Sequence, residues 1–180
     1  WVLRKIFRNC SRYIIGYVRL PRTLACLLAG MALAVSGAII QSVLANPLAA
    51  PNIIGVNSGA GLMVALVCAV APQYPFLTPV AAFLGALAGV LLVLALAQRT
   101  GAAKLTVVLA GVAVSSIFGA GIDAVVTFFP DALNGYSDFR IGGLSNLTLA
   151  KLNPAGFIIL AGVGCALLAA GELDILALGG

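Results

Sequence analysis

Histidine is absent from this 180-residue chain, and charge is scarce: Asp, Glu, Lys and Arg together make up 8% of it. Soluble proteins carry about 25%. Without histidine there is no Ser-His-Asp triad and no H-E-x-x-H zinc site. No G-x-x-x-x-G-K-[ST] loop occurs, so the usual cradle for nucleotide phosphates is missing. The four cysteines, at 10, 26, 68 and 165, form no C-x-x-C pair. Three of them lie in apolar runs, where a thiol behaves as a small hydrophobe rather than as part of a disulfide framework or metal site. The five acids, at 123, 131, 138, 172 and 174, are spread widely.

What fills the chain is apolar. Hydrophobic residues make up 62%, and the mean hydropathy is +1.16. So little charge cannot solvate the surface of a soluble domain, and disordered chains are polar and charged. The class left is an all-α, polytopic transmembrane bundle. No charged residue occurs between Thr23 and Gln98, a run long enough for several crossings at about 20 residues each. Six of the ten cations, Arg4, Lys5, Arg8, Arg12, Arg19 and Arg22, precede it. Basic flanks beside a span are routine, so the net charge of +5 points to a lipid bilayer rather than to nucleic acid.

Residues 1–22 read as a basic interfacial segment, since charges interrupt them every few positions. They do not resemble a signal peptide. Trp1 in place of Met leads us to expect a trimmed or processed chain. The spans are expected at about 23–45, 53–71, 77–98, 105–129 and 152–170, within a membrane region covering 23–180. Asn46-Pro47 stops the first. Pro72 and Pro75 make a turn, residues 99–104 a short basic loop, and 130–151 the longest polar stretch. The second span carries Asn57, Ser58, Gly59, Ala60 and Gly61, the third Gly85-x-x-x-Gly89, and the fourth Gly111, Ser115 and Gly119 at four-residue intervals. Such spacings ordinarily serve helix packing. Asp123 is the one acid inside an expected span. It reads either as an ion or proton site, or as a residue at the membrane edge or bonded to a neighbouring helix. Asn146-Leu147-Thr148 fits a glycosylation sequon by coincidence.

Several polar clusters recur in series: Arg19-Leu-Pro-Arg22; Ser36-Gly37-x-x-x-Gln41; Asn46-Pro-Leu-Ala49; Gly55-Val-Asn-Ser58-Gly59-Ala60; Leu109-Ala-Gly111-Val-Ala113; Gly142-Gly-Leu-Ser145; and Leu173-Asp-Ile-Leu-Ala-Leu-Gly179. In that order and spacing they resemble the permease subunits of ABC importers for iron–siderophore, haem and cobalamin chelates, the FecCD family. The resemblance runs from about Arg19 to Gly179. It implies a ten-helix type II importer permease about twice this length, of which this chain would be helices two to six, incomplete at both ends. It implies no cofactor, no metal and no catalysis by this chain.

The implied partners are a separate ATP-binding subunit, an extracytoplasmic substrate-binding protein and a second permease subunit. The implied place is the bacterial cytoplasmic membrane. By the same resemblance Arg19 and Arg22 dock the binding protein. Gly111, Ser115, Ser116 and Gly119 wall the translocation pathway, and Lys104, Leu105 and Thr106 lie near the cytoplasmic gate. Positive-inside reasoning would instead put the basic segment in the cytoplasm. In the family a preceding helix carries it outward, and that orientation is adopted for a full-length protein. The rival readings are an ion-coupled secondary transporter or channel using Asp123, and a membrane-embedded enzyme.

Overall fold

The apolar runs become helices separated by their Pro, Gly and Asn punctuation. A computed structural model describes residues 13–47, 49–99, 104–144 and 147–172. Residues 1–12 with most of the basic segment, Leu48, the 100–103 loop, Ser145, the sequon's Asn146 and the closing motif from Leu173 to Gly179 lie outside the described residues. The long elements are α1 (Leu20–Leu44), α2 (Val56–Val70), α3 (Leu77–Arg99), α4 (Lys104–Phe128), α5 (Ala132–Ile141) and α6 (Leu149–Leu168). No strand occurs among the described residues.

Two features depart from the sequence reading. Helical backbone is already established at Tyr13 and passes through a π-helical turn, Ile15–Arg19, into α1. Pro21 therefore lies inside a continuous helix instead of at its start. Proline supplies no N–H to the carbonyl one turn back and its ring crowds that turn. The widened register, in which the Leu20 N–H donates to the Ile15 carbonyl, accommodates both effects. The second departure is α5, which forms in the polar stretch after Pro130. It ends at Gly142, whose φ of 68° is the left-handed conformation that glycine tolerates. The Gly143 N–H donates to the Asp138 carbonyl at 2.9 Å, and the Gly142 N–H to Phe139 at 3.1 Å, which closes a Schellman motif.

By length and composition, three helical segments among the described residues can cross a membrane: Ile15–Leu44, α3 and α4. The 30 residues of Ile15–Leu44 rise about 45 Å, against a hydrocarbon core of about 30 Å. Two shorter apolar helices are Val56–Val70 and Ala155–Leu168. Large apolar side chains such as Leu27, Leu33, Ile117 and Phe157 are exposed along these helices, as suits lipid or partner helices rather than water. Several serine hydroxyls bond back into their own helices. Ser36 donates to the Leu33 carbonyl at 3.1 Å and Ser42 to Ala38 at 3.0 Å.

The chain divides into two units, Trp1–Val43 with Leu144–Gly180, and Leu44–Gly143. In the first, α1 and α6 border an apolar groove of ≈ 510 Å³ lined by Leu24, Leu28, Asn153, Gly156 and Phe157. The second unit holds the packed core. There α2 is short because a 3₁₀ turn, Pro51–Ile54, precedes it. Gly55, at φ 77°, turns the chain from one into the other. Irregular backbone at membrane depth is tolerated only where protein covers it, and Gly55 is buried, so that a Cβ added there would touch the Val93 and Val114 side chains. Val93, Ala110 and Val114 form one core cluster; Val64, Ala65, Ile122 and Tyr136 form a second.

Candidate translocation and docking surfaces

Glycine decides how closely α2, α3 and α4 approach. A Cβ on Gly59 would collide with the Gly85 carbonyl, and one on Gly85 with the Gly59 carbonyl. A Cβ on Gly89 would lie 2.6 Å from the Gly55 carbonyl. The two small-residue pairs, Gly55/Gly59 and Gly85/Gly89, thus face one another with backbone touching backbone. Gly111 of α4 meets the Ile53 carbonyl of the 3₁₀ turn in the same way. One turn further along α4, Ser115 accepts a hydrogen bond from Ser58 of α2, at 3.2 Å between the oxygens. The same Ser58 oxygen lies 3.1 Å from the Gly55 carbonyl. The Ser58–Ser115 contact was not foreseen, although both residues stand in the sequence clusters above. A serine cannot announce from sequence which helix it will face.

The four residues expected to wall a pathway therefore divide. Gly111 is buried and Ser115 half-buried, both turned to the 3₁₀ turn and α2. Ser116 is exposed and donates to the Val112 carbonyl at 2.9 Å. Gly119 is half-buried, yet beyond its own helix no atom lies within 4 Å of a Cβ built on it. Ser116 and Gly119 thus lie on the open side of α4, and Gly111 and Ser115 on its packed side. Asp123 is exposed near the end of α4, where Thr127 donates to its backbone carbonyl at 2.7 Å.

Lys104, Leu105 and Thr106 form the first turn of α4, with Lys104 and Leu105 exposed and Thr106 half-buried. Because only four residues separate α3 from α4 in the sequence and the two helices pack together, Arg99 and Lys104 come to one end of this unit. The opposite end carries α5. Ala132 and Tyr136 of that helix are buried, and Gly135 sits against Cys68, whose sulfur would lie 2.8 Å from an added Cβ. A cleft of ≈ 570 Å³ opens there, bordered by Tyr74, Pro75, Asp131, Asn134 and Asp138. In the first unit Arg19 and Arg22 are both exposed. At three residues apart on a continuous helix they share a face. Pro21 between them is fully buried, and the Thr23 hydroxyl donates to the Arg19 carbonyl at 3.0 Å.

Among the described residues this geometry offers packing, open faces and a pair of guanidiniums. Among the described residues no group of three His, Cys, Asp or Glu could hold a metal ion.

The sequence profile of the FecCD transport family matches residues 2–180. The chain is 34% identical over 170 residues to the Fe(3+)-citrate import system permease protein YfmE of Bacillus subtilis, covering 93% of this chain and 50% of that protein. It is 35% identical over 169 residues to the hemin transport system permease protein HmuU of Yersinia pestis, covering 90% and 50%. It thus spans about half the length of these curated relatives. A solved structure in an inward-facing conformation, assigned to the metal-chelate type of ABC transporter, superposes with a TM-score of 0.85 at 25% identity. That match covers 94% of this chain and 55% of the other. With its long apolar helices and a family profile matching nearly end to end, this membrane protein belongs to the FecCD transport family.

Proposed function

We propose that this chain is part of the transmembrane permease of an ABC importer for iron chelates such as siderophores or haem, or for cobalamin, and forms half of the translocation pathway. The observation that carries this reading is the family match across residues 2–180. The permeases of iron-citrate and hemin import among its relatives support it. In this reading the protein sits in the bacterial cytoplasmic membrane and pairs with a second permease subunit. A separate ATPase drives alternating access, and an extracytoplasmic binding protein delivers the chelate at Arg19 and Arg22. Ser116 and Gly119 form the wall of the pathway, with Gly111 and Ser115 bracing it from behind. The first turn of α4, at Lys104, Leu105 and Thr106, lies by the cytoplasmic gate.

The test is ATP-driven uptake of an iron chelate into vesicles holding the permease, its ATPase and its binding protein. Uptake that needs all three supports the reading. Uptake driven by an ion gradient with no ATPase present would replace it with the ion-coupled alternative.

Asp123 separates these two readings. A carboxylate at the centre of a membrane helix costs about 2.5–3.5 kcal/mol on insertion scales. Asp123 instead lies exposed, in the second-last turn of α4. Asp123→Asn should leave uptake unchanged at normal membrane levels. Lost uptake with normal levels would favour an ion site.

Nucleotide should not bind this chain, since it has no phosphate-cradling loop. The purified chain, free of ATPase, should give no heat of ATP binding in calorimetry. Stoichiometric binding would contradict the assignment of energy coupling to a partner.

A further inference from the structure

We infer that the cleft between α5 and the turn joining α2 to α3 receives a cationic side chain, lysine or arginine, of the extracytoplasmic binding protein. The inference rests on the importer reading above and adds a contact opposite in charge to Arg19 and Arg22. One wall of the cleft is α5, where Asp131, Asn134 and Asp138 line it. At offsets of three and seven residues they share one side of the helix. Arg140, two residues past Asp138, stands about 200° further round and does not line the cleft. The facing wall carries Tyr74 and Pro75. Its turn is closed by the Tyr74 N–H on the Ala71 carbonyl at 3.1 Å and the Leu77 N–H on Tyr74 at 3.0 Å. The Tyr74 ring meets Phe76 edge to face, with centroids 5.8 Å apart.

Both carboxylates are left over from the folding of the segment. An aspartate at a helix N-cap ordinarily accepts from the first N–H groups of its helix. Here those groups are already taken. The N–H groups of Ala132, Leu133 and Asn134 donate to the carbonyls of Phe129, Pro130 and Asp131 at 3.0, 3.1 and 3.4 Å. Asp131 accordingly makes no side-chain cap bond. Asp138 closes the end of α5 with its backbone carbonyl alone. Neither carboxylate has a hydrogen-bond or ion-pair partner among the described residues.

Two exposed carboxylates therefore face one opening with no cation of this chain to answer them. A cleft lined by one sign of charge focuses its field on the opposite sign, and an aromatic face adds cation–π attraction. The ≈ 570 Å³ of the cleft holds a long side chain and its charged head. The cleft lies at the end of its unit opposite Lys104, which the importer reading places outside, where the binding protein arrives.

The experiment uses the permease assembled with its ATPase in vesicles, with the binding protein added. Asp131→Asn and Asp138→Asn should each raise the Kd of that protein roughly fivefold at low salt, with the difference shrinking at high salt. Asp131→Glu and Asp138→Glu should restore most of the affinity. Full affinity in the double asparagine variant overturns the docking point. So does a loss equal at low and high salt, which would reflect packing and not charge. Unchanged affinity with lost uptake at saturating binding protein would assign the carboxylates to the chelate, and overturns it equally.

A second measurement keeps the native aspartates. Carboxylates are labelled with a carbodiimide and a small amine, and read by mass spectrometry. Bound binding protein should protect Asp131 and Asp138. Equal labelling with and without it overturns the proposal even where the variants do not fold. A parent assembly that neither binds that protein nor imports a chelate with ATP sinks the importer reading. A parent that does both, with Asp131 and Asp138 unprotected, sinks the cleft alone.

Discussion

Gly111→Ala should destabilise the permease severely, whereas Gly119→Ala, two turns along the same helix, should not. At Gly111 the added methyl has nowhere to go, because the atom it meets is the backbone carbonyl of Ile53, with the Ile54 Cα also in reach. A flexible side chain could rotate aside, but a carbonyl in a 3₁₀ turn moves only if the turn moves. Overpacked cores typically lose about 1–3 kcal/mol and occasionally more, and a backbone collision belongs at the upper end. That is a large share of a total stability of about 5–15 kcal/mol. At Gly119 an added methyl would meet no atom outside its own helix within 4 Å, and alanine is the better helix former by about 0.8–1 kcal/mol. Unfolding of the purified variants in one detergent, by heat or by added SDS, checks the contrast. Equal stability of the two would mean that α4 does not pack on the Ile53 turn.

Arg19→Ala and Arg22→Ala should each weaken association of the binding protein, and what remains should depend less on salt. Both guanidiniums are exposed in this chain and stand on one face of the helix. The buried, φ-locked Pro21 between them holds the backbone that aims them. Guanidinium grips carboxylate bidentately in a way that lysine does not reproduce. Left exposed, such pairs contribute only about 0.2–1 kcal/mol. Desolvated in a docked interface, losing one partner costs about 2–5 kcal/mol, which is roughly thirtyfold upward in Kd.

Titration of the binding protein against the permease in vesicles, at low and high salt, measures this effect. ATPase activity without the binding protein should persist. Arg19→Cys, in the background lacking Cys10, Cys26, Cys68 and Cys165, should react with an impermeant thiol reagent from outside the cell. Labelling only from the cytoplasmic side would overturn both the orientation and the docking role.

The departures from the sequence reading have local causes. Helix α5 was hidden because Asn134, Gly135, Ser137 and Asp138 are poor helix formers. Burial of Ala132 and Tyr136 outweighs that preference, as tertiary packing routinely does. The early start of the first helix was hidden because Pro21 normally marks a helix's first turn. Here a π-helical register absorbs it. Neither effect is visible in a window of neighbouring residues, since each depends on what the segment packs against or on a change of hydrogen-bond register.

The sequence by itself determined the class of this protein. An uncharged run from residue 23 to 98 needs its backbone hydrogen bonds closed internally in a bilayer, and its unbroken apolar stretches of about 20 residues have the length of membrane helices. The serial motifs from Arg19 onward carried the family. Tertiary structure alone decided which of the small residues matter to which neighbour. Gly111 and Gly119 are the same letter at helical spacing on one helix. One is roofed by a carbonyl and the other opens outward. Ser115 and Ser116 are adjacent, yet one reaches across to Ser58 and the other bonds back into its own helix. A helix presents successive residues about 100° apart, so which of them turns inward is settled only when the neighbouring helices dock.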